Sequence, residues 1–250
     1  MRRFVAAVLL LCFGFIGGCA VSHISKEQQE KQARLHFQLG VDALQKGLLP
    51  KAFDELMQAD RLRPNQPEIL DALAYAWRLR GEVNKAETFY KRSLRIKSRP
   101  ETHNNYANLL IELHRYDEAV KQARQALADP RYRNQHLALM NLGDALLAQG
   151  HAEEALSAYQ KAKLLRPEDS LPTLKQAKAY LSIGKPRYAE ALLKTALREN
   201  PQSRELTEML VSILSKNQPA LAKAYLIRFR DNATDEMDKA WAEEQMEKLP

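Results

Sequence analysis

Small and helix-breaking residues return along this chain with one period. Gly40, Ala74, Ala107, Gly143 and Ala177 follow one another at intervals of 34, 33, 36 and 34 residues. Ala52, Ala86, Ala119, Ala155 and Ala189 keep the same intervals, as do Ala59, Ser93, Ala126, Ala162 and Ala196. A fourth column, Gly47, Gly81, His114, Gly150 and Gly184, stays in register with them. Such self-similarity means stacked copies of one supersecondary unit, each of which buries its apolar face only against its neighbours. It displaces the one or two globules that a length of 250 residues would otherwise suggest.

Each unit reads as two amphipathic helices. In the first unit, Leu35, Leu39, Ala43 and Leu44 recur at helical spacing over residues 33–46, and Gly47 stops that helix as a left-handed cap does. Ala52, Phe53, Leu56 and Ala59 mark the second helix, and Pro64 follows where the chain must turn. Pro167 and Pro201 stand at the equivalent places of later units. The small columns mark close helix crossings, where packed interiors leave no room for a larger side chain. His114 departs from the glycine column. Histidine is among the residues enriched at positive φ, so it reads as a tolerated cap, with a functional histidine as the alternative.

The stretches LGVDALQKGLLPKAFDELMQADRLRP and NLGDALLAQGHAEEALSAYQKAKLLRP resemble the tetratricopeptide repeat. That resemblance implies an all-α, right-handed superhelical solenoid of about six helix-turn-helix repeats. We place the units at 33–66, 67–99, 100–135, 136–169, 170–203 and 204–233. The sixth is degenerate, with Ala222 in the second-helix alanine column. Residues 234–250 form a capping helix that turns Asp235, Glu236, Asp238, Glu243, Glu244 and Glu247 to solvent.

The N-terminus carries a different signal. Residues 1–19 read MRRFVAAVLLLCFGFIGGC, with Arg2 and Arg3 ahead of an apolar run from Phe4 to Ile16. That run is short of the roughly 20 residues a spanning helix needs, and fits a cleaved secretory signal over 1–18. An uncleaved N-terminal anchor is the alternative. Ile16-Gly17-Gly18-Cys19 resembles a bacterial lipobox, which implies that Cys19 becomes an acylated mature N-terminus. Several acyl chains give stable anchoring where one is marginal. Ala20 rather than Asp after the cysteine implies the outer membrane, by resemblance to lipoprotein sorting. Cys12 would leave with the signal, so no free thiol stays in the mature chain. Residues 19–32 then tether lipid to fold, their distal end open to helix.

Nothing in the chain points to catalysis. The six histidines, His23, His36, His103, His114, His136 and His151, form no HExxH, and GxSxG, GxxxxGK[ST] and GxGxxG are absent from the sequence. His36 and His103 fall at a repeat position that is usually bulky, and both read as structural. No cofactor or metal is expected, and the expected class is a binding scaffold rather than an enzyme. The formal charge of +7 falls to +5 once Arg2 and Arg3 leave. It is also polarised: residues 61–99 hold ten Lys/Arg against four Asp/Glu, whereas 231–248 hold seven Asp/Glu against two Lys/Arg. Such asymmetry suits steering of a partner protein or a plain solvated surface, and export argues against nucleic acid.

In a tetratricopeptide superhelix the first helix of each unit lines the concave face. Counting from the columns puts Phe37, Val41, Asp71, Tyr75, Arg78, Asn104, Asn105, Asn108, Met140, Asn141, Asp144, Leu174 and Lys178 on or near it. We expect the partner-binding groove at Phe37, Tyr75, Asn104, Asn105, Asn108, Met140, Asn141 and Asp144. The asparagines offer donor and acceptor together, a ladder for an extended peptide backbone. Asparagine at the places of Asn105 and Asn141 is also ordinary for this repeat.

Three stretches carry a narrower resemblance, to the type IV pilus biogenesis and stability lipoproteins, the secretin pilotins of the PilF/PilW type. They are ARLHFQLGVDALQKG, HNNYANLLIELHRYDEA and the elongated junction ADPRYRNQHLALMNLG. The resemblance implies a periplasm-facing scaffold on the outer membrane that binds the secretin subunit and promotes its localisation and assembly. A tetratricopeptide adaptor for peptidoglycan hydrolases or synthases has the same architecture and is the alternative.

Overall fold

The structure is a computed structural model that describes residues 25–250. The signal, Cys12, Cys19 and Ala20 lie outside the described residues, together with the rest of the expected tether up to residue 24. The described residues form thirteen α-helices and no strand. They are α1 (Lys26–Gln45), α2 (Leu49–Leu62), α3 (Pro67–Leu79), α4 (Val83–Ile96), α5 (Pro100–Glu112), α6 (Tyr116–Leu127) and α7 (Gln135–Ala148). There follow α8 (Ala152–Leu165), α9 (Leu171–Ser182), α10 (Pro186–Glu199), α11 (Arg204–Leu214), α12 (Pro219–Asn232) and α13 (Glu236–Glu247). None of these helices is long and apolar enough to cross a membrane.

Odd helices pack on the even helices that follow them, and each pair stacks on the next, so the chain is an all-α superhelical repeat protein of six helix pairs and a terminal helix. The turns inside units one to five are one device repeated. Gly47, Gly81, His114, Gly150 and Gly184 hold φ of 70°, 83°, 57°, 83° and 69°. The amide after each donates back to the carbonyl five residues earlier: Leu48 to Ala43 at 2.8 Å, Glu82 to Trp77 at 2.9 Å, Arg115 to Leu110 at 2.8 Å, His151 to Leu146 at 2.9 Å and Lys185 to Tyr180 at 2.8 Å. A Cβ on any of the four glycines would meet nothing within 4 Å, so the backbone angle alone selects glycine there. The sixth unit turns through Ser215–Gln218 without a positive φ.

Gly40 and Gly143 answer to a different constraint. A Cβ at Gly40 would come within 2.6 Å of Leu56, and one at Gly143 would run into the Tyr159 ring. Leu56 and Tyr159 are fully buried on the facing second helices. Small residues here are therefore the complement of large ones across the pair. His36 and His103 also join the two helices of a unit, through Nδ1 contacts of 2.7 Å to Glu55 and 2.6 Å to Gln122.

One expectation is made definite and one changes. The distal end of the tether, left open to helix, is helical from Lys26 and continuous with the first helix of unit one. Ser25 accepts from the Gln28 amide while the Gln28 side chain accepts from the Ser25 amide, a complete capping box. The Ser-x-x-Gln spacing was the sequence signal for it. Asp238 of α13 is not free in solvent: it sits 3.2 Å from Arg204, half-buried, while Trp241 and Ala242 close the end of the core on Leu226 and Phe229.

Candidate functional site

The first helices α1, α3, α5, α7 and α9 line one continuous depression made of two adjoining cavities. The larger, of about 730 Å³, is walled by Phe37, Val41 and Leu44 of α1 and by Asp71, Ala72 and Tyr75 of α3. Glu68, Arg99, Glu101, Asn105 and Asn134 complete it. The smaller, of about 320 Å³, is lined by Asn104, Asn105 and Asn108 of α5 and by Leu137, Met140, Asn141 and Asp144 of α7. Arg78, Asp169, Leu171 and Lys175 close it. Asn105 belongs to both walls. The eight residues expected to form a groove thus all line this depression.

Their chemistry differs from a free ladder. Asn104 and Asn141 are buried, at 6% and 7% exposure. Asn141 donates its Nδ2 to Asn104 Oδ1 at 2.9 Å and to the Asn104 carbonyl at 3.3 Å. Asn108 in turn donates to Asn141 Oδ1 at 3.3 Å. These three side chains therefore spend much of their capacity joining α5 to α7. Asn105 donates to Asp71 Oδ2 at 3.1 Å and is half-exposed, so its carbonyl oxygen stays open to the groove. Met140 packs mainly into the core around Tyr159, and Leu174 into the core of units five and six. Neither is the free apolar contact that the sequence suggested.

Charged side chains divide the depression. Arg78 grips Glu112 with Nε at 2.8 Å and a second contact through Nη2, and lies over the Tyr75 ring. Lys175 sits 2.7 Å from both oxygens of Asp144, which also accepts from Tyr159 at 2.8 Å. Column counting did not find Lys175 or Glu112, because each is defined by its partner one unit away. Asp71 has its pKa raised to about 6. Burial is the main cause, and the nearby Arg99 and the Asn105 hydrogen bond oppose it. Its Oδ1 is buried and has no hydrogen-bond partner. Among the described residues no three His, Cys, Asp or Glu side chains gather to hold a metal.

A sequence model of the tetratricopeptide repeat matches residues 106–170 and 174–225. With the helix pairs and their left-handed turns, this identifies tetratricopeptide repeats over the matched span and gives the described residues the fold of a tetratricopeptide solenoid. It is similar to the type IV pilus assembly protein PilF of Pseudomonas aeruginosa, 28% identical over 178 residues, which is 69% of this chain and 70% of that protein. It is also 29% identical over 167 residues to cellulose synthase operon protein C of Pseudomonas fluorescens, a match to 64% of this chain but only 13% of that much longer protein. Among solved structures, that of Pseudomonas aeruginosa PilF superposes with a TM-score of 0.69 at 20% identity, over 87% of this chain and 99% of that one. PilW, described as a widely conserved type IV pilus biogenesis factor, gives 0.71 at 20% identity over 83% and 97%. YrrB, a tetratricopeptide protein with an unusual peptide-binding site, gives 0.56 at 15% over 73% and 93%. At these identities the structural likenesses speak to the fold. The match to PilF bears out the narrower resemblance to proteins of the PilF/PilW type.

Proposed function

We propose that this chain is a non-catalytic scaffold of type IV pilus biogenesis, anchored to the outer membrane through acylated Cys19. Its concave groove binds a segment of the secretin and thereby promotes secretin localisation and assembly. The observation that supports this best is the similarity to PilF, which extends over 70% of that protein rather than over one or two repeats. The match to cellulose synthase operon protein C spans only 13% of it and carries no comparable weight. The groove supplies a physical route to binding, since two adjoining cavities on rigid helices can take successive side chains of one peptide.

Deletion of the gene should abolish twitching motility and secretin multimers, and a Cys19→Ser copy should restore neither fully. Normal multimers in the deletion strain would overturn the reading. Pull-down from detergent-solubilised envelope separates the alternative, since an adaptor for wall enzymes would bring down peptidoglycan hydrolases or synthases in place of the secretin.

A further inference from the structure

The two halves of the groove differ in how their acids are neutralised. In the second half the lining holds two cations for two acids: Lys175 takes both oxygens of Asp144 at 2.7 Å, and Arg78 takes Glu112 through two nitrogens, leaving Asp169 without an ion pair. In the first half, Glu68, Asp71 and Glu101 share one guanidinium. Arg99 lies 3.7 Å from Glu68 and 3.6 Å from Glu101, loose distances for both pairs. Arg34 and Arg63 line a smaller pocket that shares Phe37 and Glu68 with the larger cavity, and neither comes within ion-pair distance of Glu68. Among the side chains that line the larger cavity, three acids on α3 and α5 thus face one cation. Its remaining wall is apolar, with Phe37, Val41 and Leu44 at helical spacing facing Ala72 and Tyr75.

Resting on the reading of the groove as a peptide site, we infer that its first half takes an extended segment of a partner protein in which an apolar side chain is followed closely by lysine or arginine. The apolar side chain enters between Phe37, Val41 and Tyr75. The cation completes the charge balance of Glu68 and Glu101, where charge-assisted hydrogen bonds are strong. An anionic ligand is repelled from the same rim. Asn105, common to both cavities, presents its open oxygen to a backbone N–H of the segment. Neighbouring packed helices lie about 8–10 Å apart, which is about three residues of extended chain at 3.3 Å each. A run of about six residues spans the two steps from the α3 wall of the first cavity to Leu137 on α7 in the wall of the second.

The test uses the full-length chain and fluorescein-labelled synthetic decapeptides. One carries Leu-Lys near its start and a second Leu six residues later, and the other has Glu for Lys. Anisotropy at low salt should show the lysine peptide binding at least about tenfold tighter, a preference that fades with salt. Glu68→Gln with Glu101→Gln should abolish the preference, Tyr75→Ala should weaken both peptides, and Glu243→Gln on the last helix should change nothing. Circular dichroism checks that each variant is folded. Equal binding of the two peptides, a preference that survives the double substitution, or no binding of either overturns the inference. Those outcomes are independent of the pilus reading, because no secretin enters the measurement.

Discussion

His114 is the one place in the glycine column where a side chain is carried at positive φ, at 57°. Left-handed backbone costs an ordinary residue about 1–2 kcal/mol. The Nδ1 contact of 2.6 Å to Tyr116 returns part of that on an exposed surface. His114→Gly should therefore leave stability unchanged or raise it by up to about 1 kcal/mol in urea unfolding, whereas His114→Ala should lower it. Asp71 poses the opposite problem. Its folded pKa of about 6 stands above the ordinary 3.8. Between those values the native chain holds a proton that the unfolded chain has lost, so stability falls as pH rises through that window and stays lower above it. Asp71→Asn should flatten this part of the curve. The stability difference between variant and parent should shift in the variant's favour by about 1–3 kcal/mol from pH 4 to pH 7. Glu87 behaves in reverse. Burial raises its pKa, but hydrogen bonds from Lys91, Tyr106 and Arg115 outweigh this and hold the carboxyl at about 2. The stability it contributes is present above the ordinary 4.5 and is lost as pH drops toward 2.

At the scale of elements, the first and second helices of a unit are matched in volume. Gly143 lies against Tyr159, which is fully buried and fixed by its bond to Asp144 at 2.8 Å, so the ring has little freedom to retreat. Gly143→Ala should lower stability by about 1–3 kcal/mol through overpacking, even though alanine favours helix. Replacing Tyr159 by Leu in the same chain should recover part of the loss, since Ala177 and Leu193 form that pairing in the fifth unit. Thermal unfolding of the two single variants and the double variant measures the coupling. In the second unit Ala74 and Tyr90 share a cluster instead, and there the tyrosine hydroxyl makes no hydrogen bond. The pairing of helices was legible in the sequence because it repeats. The start of α1 was legible too, in Ser25 and Gln28, once capping chemistry is weighed beside apolar periodicity.

At the scale of the whole molecule, stability is shared between neighbours rather than gathered in one core. The last helix closes the open end. Trp241 meets Phe229 edge-on at 5.3 Å, with Arg204 stacked over it at 4.6 Å. Trp241→Ala should cost about 2–4 kcal/mol. The loss should be confined to α11–α13, so that amide exchange in α3–α8 stays unchanged while the last three helices lose protection. What the sequence by itself determined is the repeat: helix pairs, their turns, their small columns and which helix of each pair lines the grooved face. Those follow from contacts within one unit, between residues close in the chain, and each unit restates them. What only the tertiary structure decided is the condition of that face. Asn108 with Asn141, Arg78 with Glu112 and Asp144 with Lys175 lie 33, 34 and 31 residues apart. Whether such side chains consume one another or stay open to a partner depends on how one first helix stacks on the next, a register that no single unit encodes.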